Sequence, residues 1–239
     1  MDTTDPFKPT YPMPTAVRPL LGLTVLVIED SRYACDAIRL MCLHSGARIR
    51  RADCLKSARR HLQIYRPSVL IVDMGLPDGS GADLIAEMTH AVPRIGVILG
   101  LSGDDSMQVI ARRAGADGFL AKPLTSVAYF QTSILELLPE DRRPGGLDSV
   151  RDNIVQPDPL AYRDDMAHIA DVLTGPTDQR TLDYAVQFLQ SVARDAEDTV
   201  LAEAARDLAQ SRARGTPVTA QAARIAGLVQ DRLERQEAI

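Results

Sequence analysis

Five short strand candidates punctuate the first half of the chain, each followed by a segment with helical apolar spacing. The candidates are Thr24–Ile28, Arg48–Ala52, Val69–Val72, Gly96–Leu101 and Gly118–Ala121. The intervening segments are Ser31–His44, Leu55–Tyr65, Gly81–Ala91 and Asp105–Ala114, with Ser126–Leu138 after the last strand. In the second of these, Leu55, Ala58, Leu62 and Tyr65 share one helical face. Such alternation predicts an α/β fold with a five-stranded, doubly wound parallel sheet. The uninterrupted VLIV at 69–72 suits a strand buried on both faces.

The pattern changes at both ends of this region. Residues 1–21 hold five prolines and no periodicity, and are expected to form an extension with little structure of its own. Residues 140–157 contain Pro144, Gly145, Gly146 and Pro157 among mixed charges, the composition of a linker. Beyond them the strand signal disappears. Asp158 and Pro159 form a helix start, followed by Tyr162, Met166, Ile169 and Leu173 at helical spacing. Gly175-Pro176 should end that helix, and Thr177 is a candidate cap for the next. A long second helix is expected from the stripe Leu182, Val186, Leu189, Ala193, Ala196 and Val200, reaching toward Gln210. After Gly215, Thr216 and Pro217 open a third, with Val218, Ala222, Ile225 and Val229 facing inward. The expected division is therefore an extension (1–21), an α/β domain (22–139), a linker (140–157) and a small all-α domain (158–239).

Charge sharpens this division. Residues 22–139 carry 13 basic and 12 acidic residues, whereas 151–239 carry 10 arginines, no lysine and 15 acids. A surface that neutralises nucleic-acid phosphates has the opposite balance, so the helical half is not expected to bind DNA. No apolar run approaches the roughly 20 residues of a membrane span. The N-terminus lacks a basic then apolar leader pattern, and Cys35, Cys42 and Cys54 have neither disulfide nor zinc spacing. A cytoplasmic protein is expected.

In a parallel α/β sheet, ligands gather at the carboxyl ends of the strands. Here those ends carry Glu29-Asp30, Asp73, Ser102 and Lys122 followed by Pro123. Three acids brought together repel, and a hard divalent cation such as Mg²⁺, which favours oxygen ligands, is the natural counterweight.

These residues resemble a known family, the receiver domain of two-component response regulators. The matching stretches are VLVIED (25–30), VLIVDMGLPDGSG (69–81), VILGLSG (97–103) and GADGFLAKP (115–123). The resemblance implies a flavodoxin-like sheet of order 2-1-3-4-5. It implies that Asp73 is the phosphoacceptor and that Glu29, Asp30, Asp73 and the Gly75 carbonyl hold Mg²⁺. Ser102 matches the switch hydroxyl, Phe119 the switch aromatic and Lys122 the site lysine. Pro77 and Gly81 match positions that shape the following turn. Ser102 stands where threonine is commoner, Gly103 where alanine is commoner, and Phe119 lacks a phenolic hydroxyl. The phosphodonor implied is a sensor histidine kinase or a histidine phosphotransfer protein.

Asp73 can act as a nucleophile on a phosphoryl group, with charge neutralisation supplying most of the catalysis. The expected function is therefore a phosphoaccepting response regulator rather than an enzyme, signalling through a helical protein-interaction or dimerisation module. A long stripe on few helices favours pairing with a second copy. Two rivals remain: a transcriptional regulator with a divergent helical DNA-binding output, and an Asp-nucleophile phosphatase. Dehalogenase-like phosphatases place a general acid two residues after the nucleophile, where this chain has Gly75. His168, in AHIADVLTG, lies on a helix as in phosphotransfer domains, but Asp171 and Val172 replace the expected Lys and Gly. An ordinary surface histidine is expected. Arg206, Arg212, Arg214 and Arg224 alternate with acids and are expected to form a solvated face.

Overall fold

The strands and helices of the first half start and stop where local chemistry dictates. Ser31, Ser80 and Ser126 each accept a hydrogen bond from a backbone N–H of the following first turn, satisfying a donor that has no partner within the helix. Gly46 closes the first helix in the left-handed region at φ 80°, where a side chain would also strike Arg18. The computed structural model describes residues 13–144, 153–174 and 178–235. Its first half is β1 (Thr24–Ile28), α1 (Arg32–Ser45), β2 (Arg48–Ala52), α2 (Leu55–Ile64), β3 (Val69–Asp73), α3 (Gly81–Thr89), β4 (Val97–Ser102), α4 (Met107–Ala114), β5 (Gly118–Ala121) and α5 (Val127–Leu135). A two-residue antiparallel pair, Gly75–Leu76 with Gly79–Ser80, lies between β3 and α3.

The five strands form one parallel sheet of order β2-β1-β3-β4-β5. Alternation along the strands divides the core between two faces. Val25, Val27, Ile71 and Leu99 pack with Ile38, Phe130 and Ile134, while Leu26, Leu70, Val72 and Ile98 pack with Leu84, Ile85 and Ala111. Burying each large aliphatic side chain contributes about 1.5–3 kcal/mol, so the two-faced core accounts for the order of this half.

Two segments expected to be loosely structured join that core. Leu20 is fully buried against it. Val155 is also buried there, and its N–H donates to the Thr125 carbonyl at 2.9 Å while Val127 N–H donates to Asn153 at 3.0 Å. Residues 1–12 and 145–152 lie outside the described residues, as do Gly175, Pro176 and Thr177.

The second half holds four described helices where three were expected: α6 (Pro159–Thr174), α7 (Gln179–Asp195), α8 (Thr199–Ala213) and α9 (Thr219–Arg235). Asp158 caps α6, and Asp178 caps α7 by accepting from Thr181 N–H at 2.8 Å. The long helix expected through Val200 breaks at 196–198. Glu197 turns left-handed at φ 55°, and Asp198 then caps α8 while also accepting from Arg232 and Tyr162. Propensity favoured continuity, but a carboxylate with four donors within reach favours the turn. The break folds α8 back along α7, so Val186, Leu189, Val192 and Ala193 are buried with Met166, Leu208 and Ile225. The stripe expected to seek a second copy is thus largely covered within one chain, although Val200 remains 47% exposed.

Gly81 opens α3 directly beneath the carboxyl end of β3. A Cβ there would collide with the Asp73 carbonyl oxygen and lie 2.9 Å from its carbon. Gly81→Ala should therefore destabilise the protein by at least about 1–3 kcal/mol, the range for overpacking. Gly227, in α9, has nothing within 4 Å of the added position, and Gly227→Ala should stabilise by roughly 0.4–1 kcal/mol. Urea midpoints of the two variants, moving in opposite directions, are the expected outcome.

Candidate functional site

The carboxyl ends of β1, β3, β4 and β5 meet beneath the start of α1, as the parallel register requires. This brings Glu29, Asp30, Asp73, Ser102 and Lys122 to one edge. Carboxylate oxygens of Glu29, Asp30 and Asp73 lie within 4.8 Å of one another. The Lys122 ammonium bridges two of them, at 2.6 Å from Glu29 Oε2 and 2.9 Å from Asp73 Oδ1. All three side chains in that bridge are buried. The other Asp73 oxygen accepts from Gly75 N–H at 2.8 Å, and Ser31 N–H donates to Glu29 Oε1 at 3.1 Å.

Burial alone would strip the Lys122 proton, but Asp73 and Glu29 beside it hold the ammonium well above the ordinary lysine range. Asp30 has no such partner. Burial first, and then the Asp73 charge, push it up to about 6 against the pull of a hydrogen bond from Tyr184. One ammonium facing three carboxylates leaves a local excess of negative charge in a poorly solvated place. All the donors are hard oxygens. That donor set and charge deficit fit Mg²⁺, with Glu29, Asp30 and Asp73 as the residues able to hold it.

Ser102 ends β4 with its hydroxyl accepting from Asp104 N–H at 3.1 Å. Phe119, half-buried on β5, packs against the bare backbone of Gly100. A Cβ at Gly100 would lie 3.1 Å from the Phe119 ring and 2.7 Å from the Ala111 methyl. A small residue mid-strand is what lets β5 and α4 approach behind the site. Cys35 and Cys42 are buried in the core, with burial pushing Cys42 up to about 12. Both fit the packing role expected for them.

Residues 25–132 match the model of the response regulator receiver domain family. This half of the chain is a receiver domain. Curated relatives match over a similar length of chain. The KDP operon transcriptional regulatory protein KdpE of Escherichia coli K12 is 33% identical over 101 residues, covering 41% of this chain and 44% of that protein. The transcriptional regulatory protein CitB of Klebsiella pneumoniae is 34% identical over 109 residues, covering 43% of this chain and 45% of its own. The chain thus matches less than half the length of either relative. Among solved structures, a two-component response regulator from Clostridium difficile is 18% identical, covering 48% of this chain and 94% of its own, with a TM-score of 0.44. No helix among the described residues is long and apolar enough to cross a membrane.

The receiver half does not stand alone at this edge. Helix α7 lies across it. The Tyr184 hydroxyl donates to Asp30 Oδ2 at 2.8 Å, and Lys122 donates to Ser191 Oγ at 3.1 Å. The Gln187 amide rests on Gly75, and the Arg194 guanidinium on Gly103. His168 of α6, expected to be a plain surface residue, is exposed but contacts the Tyr184 hydroxyl at 3.1 Å. None of these α7 residues was singled out from sequence. Their signal was a second stripe, Tyr184, Gln187, Ser191 and Arg194-Asp195, running beside the apolar one at the same helical period. Of the four arginines expected on a solvated face, Arg206 and Arg214 are exposed, Arg212 pairs with Asp183 and Arg224 with Asp207.

Replacing Lys122 by methionine leaves the Glu29 and Asp73 carboxylates buried and facing each other. Lys122→Met should cost about 3–5 kcal/mol of stability at neutral pH, the range for breaking one side of a buried ion pair. Adding Asp73→Asn should recover part of that loss. A double-mutant cycle by urea denaturation measures the coupling directly.

Proposed function

We propose that the protein is a response regulator in which Asp73 accepts a phosphoryl group from a phosphohistidine. The donor would be a sensor histidine kinase or a histidine phosphotransfer protein, and the compartment the cytoplasm. The observation that carries this reading is Lys122, buried and held 2.9 Å from Asp73 beside two further carboxylates. In the reaction an Asp73 oxygen attacks phosphorus, the P–N bond breaks and its electron pair returns to the donor imidazole. Mg²⁺, held by Glu29, Asp30, Asp73 and the Gly75 carbonyl, would neutralise charge on the group in transfer. Gly75 N–H holds one Asp73 oxygen in place. Lys122 pairs with a phosphoryl oxygen as a point charge. The Ser102 hydroxyl donates to another, which requires it to turn from Asp104 N–H. That turn draws in the loop after β4 and opens room that Phe119, already against Gly100, can fill.

The output half supports a protein-interaction role. Its acidic balance and the pairing of Arg212 and Arg224 with Asp183 and Asp207 oppose a phosphate-binding surface. A second reading, DNA-binding output, is favoured by the names of KdpE and CitB, both transcriptional regulators. Gel-shift titration of the phosphorylated protein on random duplex DNA separates the two. Salt-sensitive binding would establish the second reading, and no shift at micromolar protein supports the first.

Incubation with acetyl phosphate and Mg²⁺ should add one phosphoryl group to the wild type by intact mass, and none to Asp73→Asn. Chelation by EDTA should abolish the addition, and Asp30→Ala should raise the Mg²⁺ concentration needed. Equal modification of wild type and Asp73→Asn would sink the assignment.

A further inference from the structure

The receiver edge just described is roofed. Between it and α7 lies a cavity of about 160 Å³, with Asp30, Asp73 and Lys122 on its floor and Gln187, Phe188 and Ser191 above. A protein-borne phosphohistidine has to reach Asp73 through the space that α7 fills. Moreover, the roof is not passive packing. Its polar atoms are spent on the groups the acceptor chemistry needs: Tyr184 on an Asp30 oxygen, and Ser191 on the Lys122 ammonium. A third α7 group, Asp195, sits near Lys122, and neither of its carboxylate oxygens has a hydrogen-bond partner.

The roof is fastened at a point away from the acceptor. Asp165, buried in α6, accepts from Ser31 Oγ at 2.7 Å, from Arg32 N–H at 2.8 Å and from Tyr33 N–H at 3.1 Å. An anion on the first turn of α1 satisfies donors that the helix leaves open, and lies at the positive end of its dipole. Tyr33 adds an apolar contact, meeting the Tyr162 ring edge-on at a centroid distance of 5.9 Å. The helical half is therefore docked on the carboxyl edge of the sheet by residues of its own that read that edge.

We propose that the C-terminal helices form a lid whose docking competes with occupation of the acceptor site: Tyr184 and Ser191 hold Asp30 and Lys122 in the closed state, and a bound divalent cation with a phosphoryl group on Asp73 displaces them. This inference rests on the acceptor reading above and assigns its regulation. Linkage makes the competition reciprocal: whatever loosens the lid raises affinity for the site's ligands by the same factor. The phosphoryl group brings about −1.5 to −2 charges and several acceptor oxygens to Lys122, to which the lid offers one hydroxyl acceptor, Ser191, and the nearby Asp195 carboxylate.

The test uses the full-length protein with three substitutions, Tyr184→Phe, Ser191→Ala and Asp165→Ala. The first two remove a single hydroxyl each, and the third releases the fastening without touching the acceptor edge. Two readouts are taken: the initial rate of labelling by acetyl phosphate with Mg²⁺, and the radius of gyration by small-angle scattering. Each hydroxyl removed forfeits one hydrogen bond to an ionised group, worth roughly 1.5–3 kcal/mol, so labelling should rise about 10- to 100-fold in Tyr184→Phe and Ser191→Ala, and at least as much in Asp165→Ala, which loses three such bonds. Saturating Mg²⁺ with beryllofluoride should expand the wild type, and should leave the radius of Asp73→Asn unchanged. Labelling at the wild-type rate in all three variants would overturn the lid while leaving the acceptor assignment intact. An unexpanded wild type, fully loaded with beryllofluoride, would overturn it also, since α7 would then complete the loaded site instead of competing for it. No labelling of any variant, despite expanded scattering, would fell the acceptor reading and the lid with it.

Discussion

A buried ammonium between two buried carboxylates is the constraint on which this receiver depends. Lys122 sits at the end of β5, Glu29 at the end of β1 and Asp73 at the end of β3. The three strands do not neighbour one another in the order β2-β1-β3-β4-β5 except for β1 and β3. Strand β4 therefore separates Lys122 from the acids it pairs with, and the lysine's four-carbon stem has to cross the carboxyl edge of that strand. Sheet order, strand register and the glycines at 81 and 100 all serve that crossing. Gly81 lets α3 start beneath Asp73, and Gly100 lets β5 and α4 close behind the site. An ion pair this deep is weak evidence for stability in itself, because desolvation offsets its attraction. Its value is positional: it holds charge at the one edge where a reaction can use it.

Asp30 stands apart from that bridge, and the difference matters. Lys122 pairs with Glu29 and Asp73, although burial and the neighbouring acids still push the Glu29 carboxyl well up, while the hydrogen bond to Asp30 comes from the neutral Tyr184 hydroxyl. The donor is held in its protonated form by burial and by the Asp30 charge itself. The site is thus closed by hydrogen bonds and remains short of positive charge. The α7 groups that hydrogen-bond Asp30 and Lys122 are hydroxyls, which a divalent cation and an anion can displace, while Arg194 and Asp195 of the same helix lie at the border of the cluster.

The receiver fold was legible in the sequence because parallel strands and their helices write two different periods. The apolar runs at 25–28 and 69–72 are uninterrupted, and the helices between them repeat at three and four. The acidic and basic residues at the strand ends were legible for the same reason, since each follows its run directly. Strand boundaries shifted by a residue or so, as with β4, found at Val97–Ser102, while helix ends moved by up to three, as with α5, which ends at Leu135 where Leu138 was expected. The helical half was less legible. Its apolar stripe runs unbroken past Ala196, and nothing in a one-dimensional pattern shows that Asp198 can collect Leu201, Tyr162 and Arg232 in space. The lid residues were hidden differently. Tyr184, Gln187 and Ser191 fall on what a single-helix pattern assigns to solvent, because their partners lie some 70 to 150 residues away in the chain.

The size of the docking contacts fits the task of a reversible lid. The polar contacts to Asp30, Lys122 and the start of α1 number a handful, each with one ionised partner and worth roughly 1.5–3 kcal/mol net. Ordering the helical half against the receiver opposes them, and the balance sets how far the open state is populated. The Lys122–Ser191 bond has charge on one side only, whereas a phosphoryl group at Lys122 would bring charge on both and outweigh the serine hydroxyl. Fewer contacts would leave the acceptor exposed at all times. A lid built from buried ion pairs would hold beyond the reach of one phosphoryl group. The α7 hydroxyls, Tyr184 donating to Asp30 and Ser191 accepting from Lys122, lie between those limits and couple the helical half to the carboxylate edge.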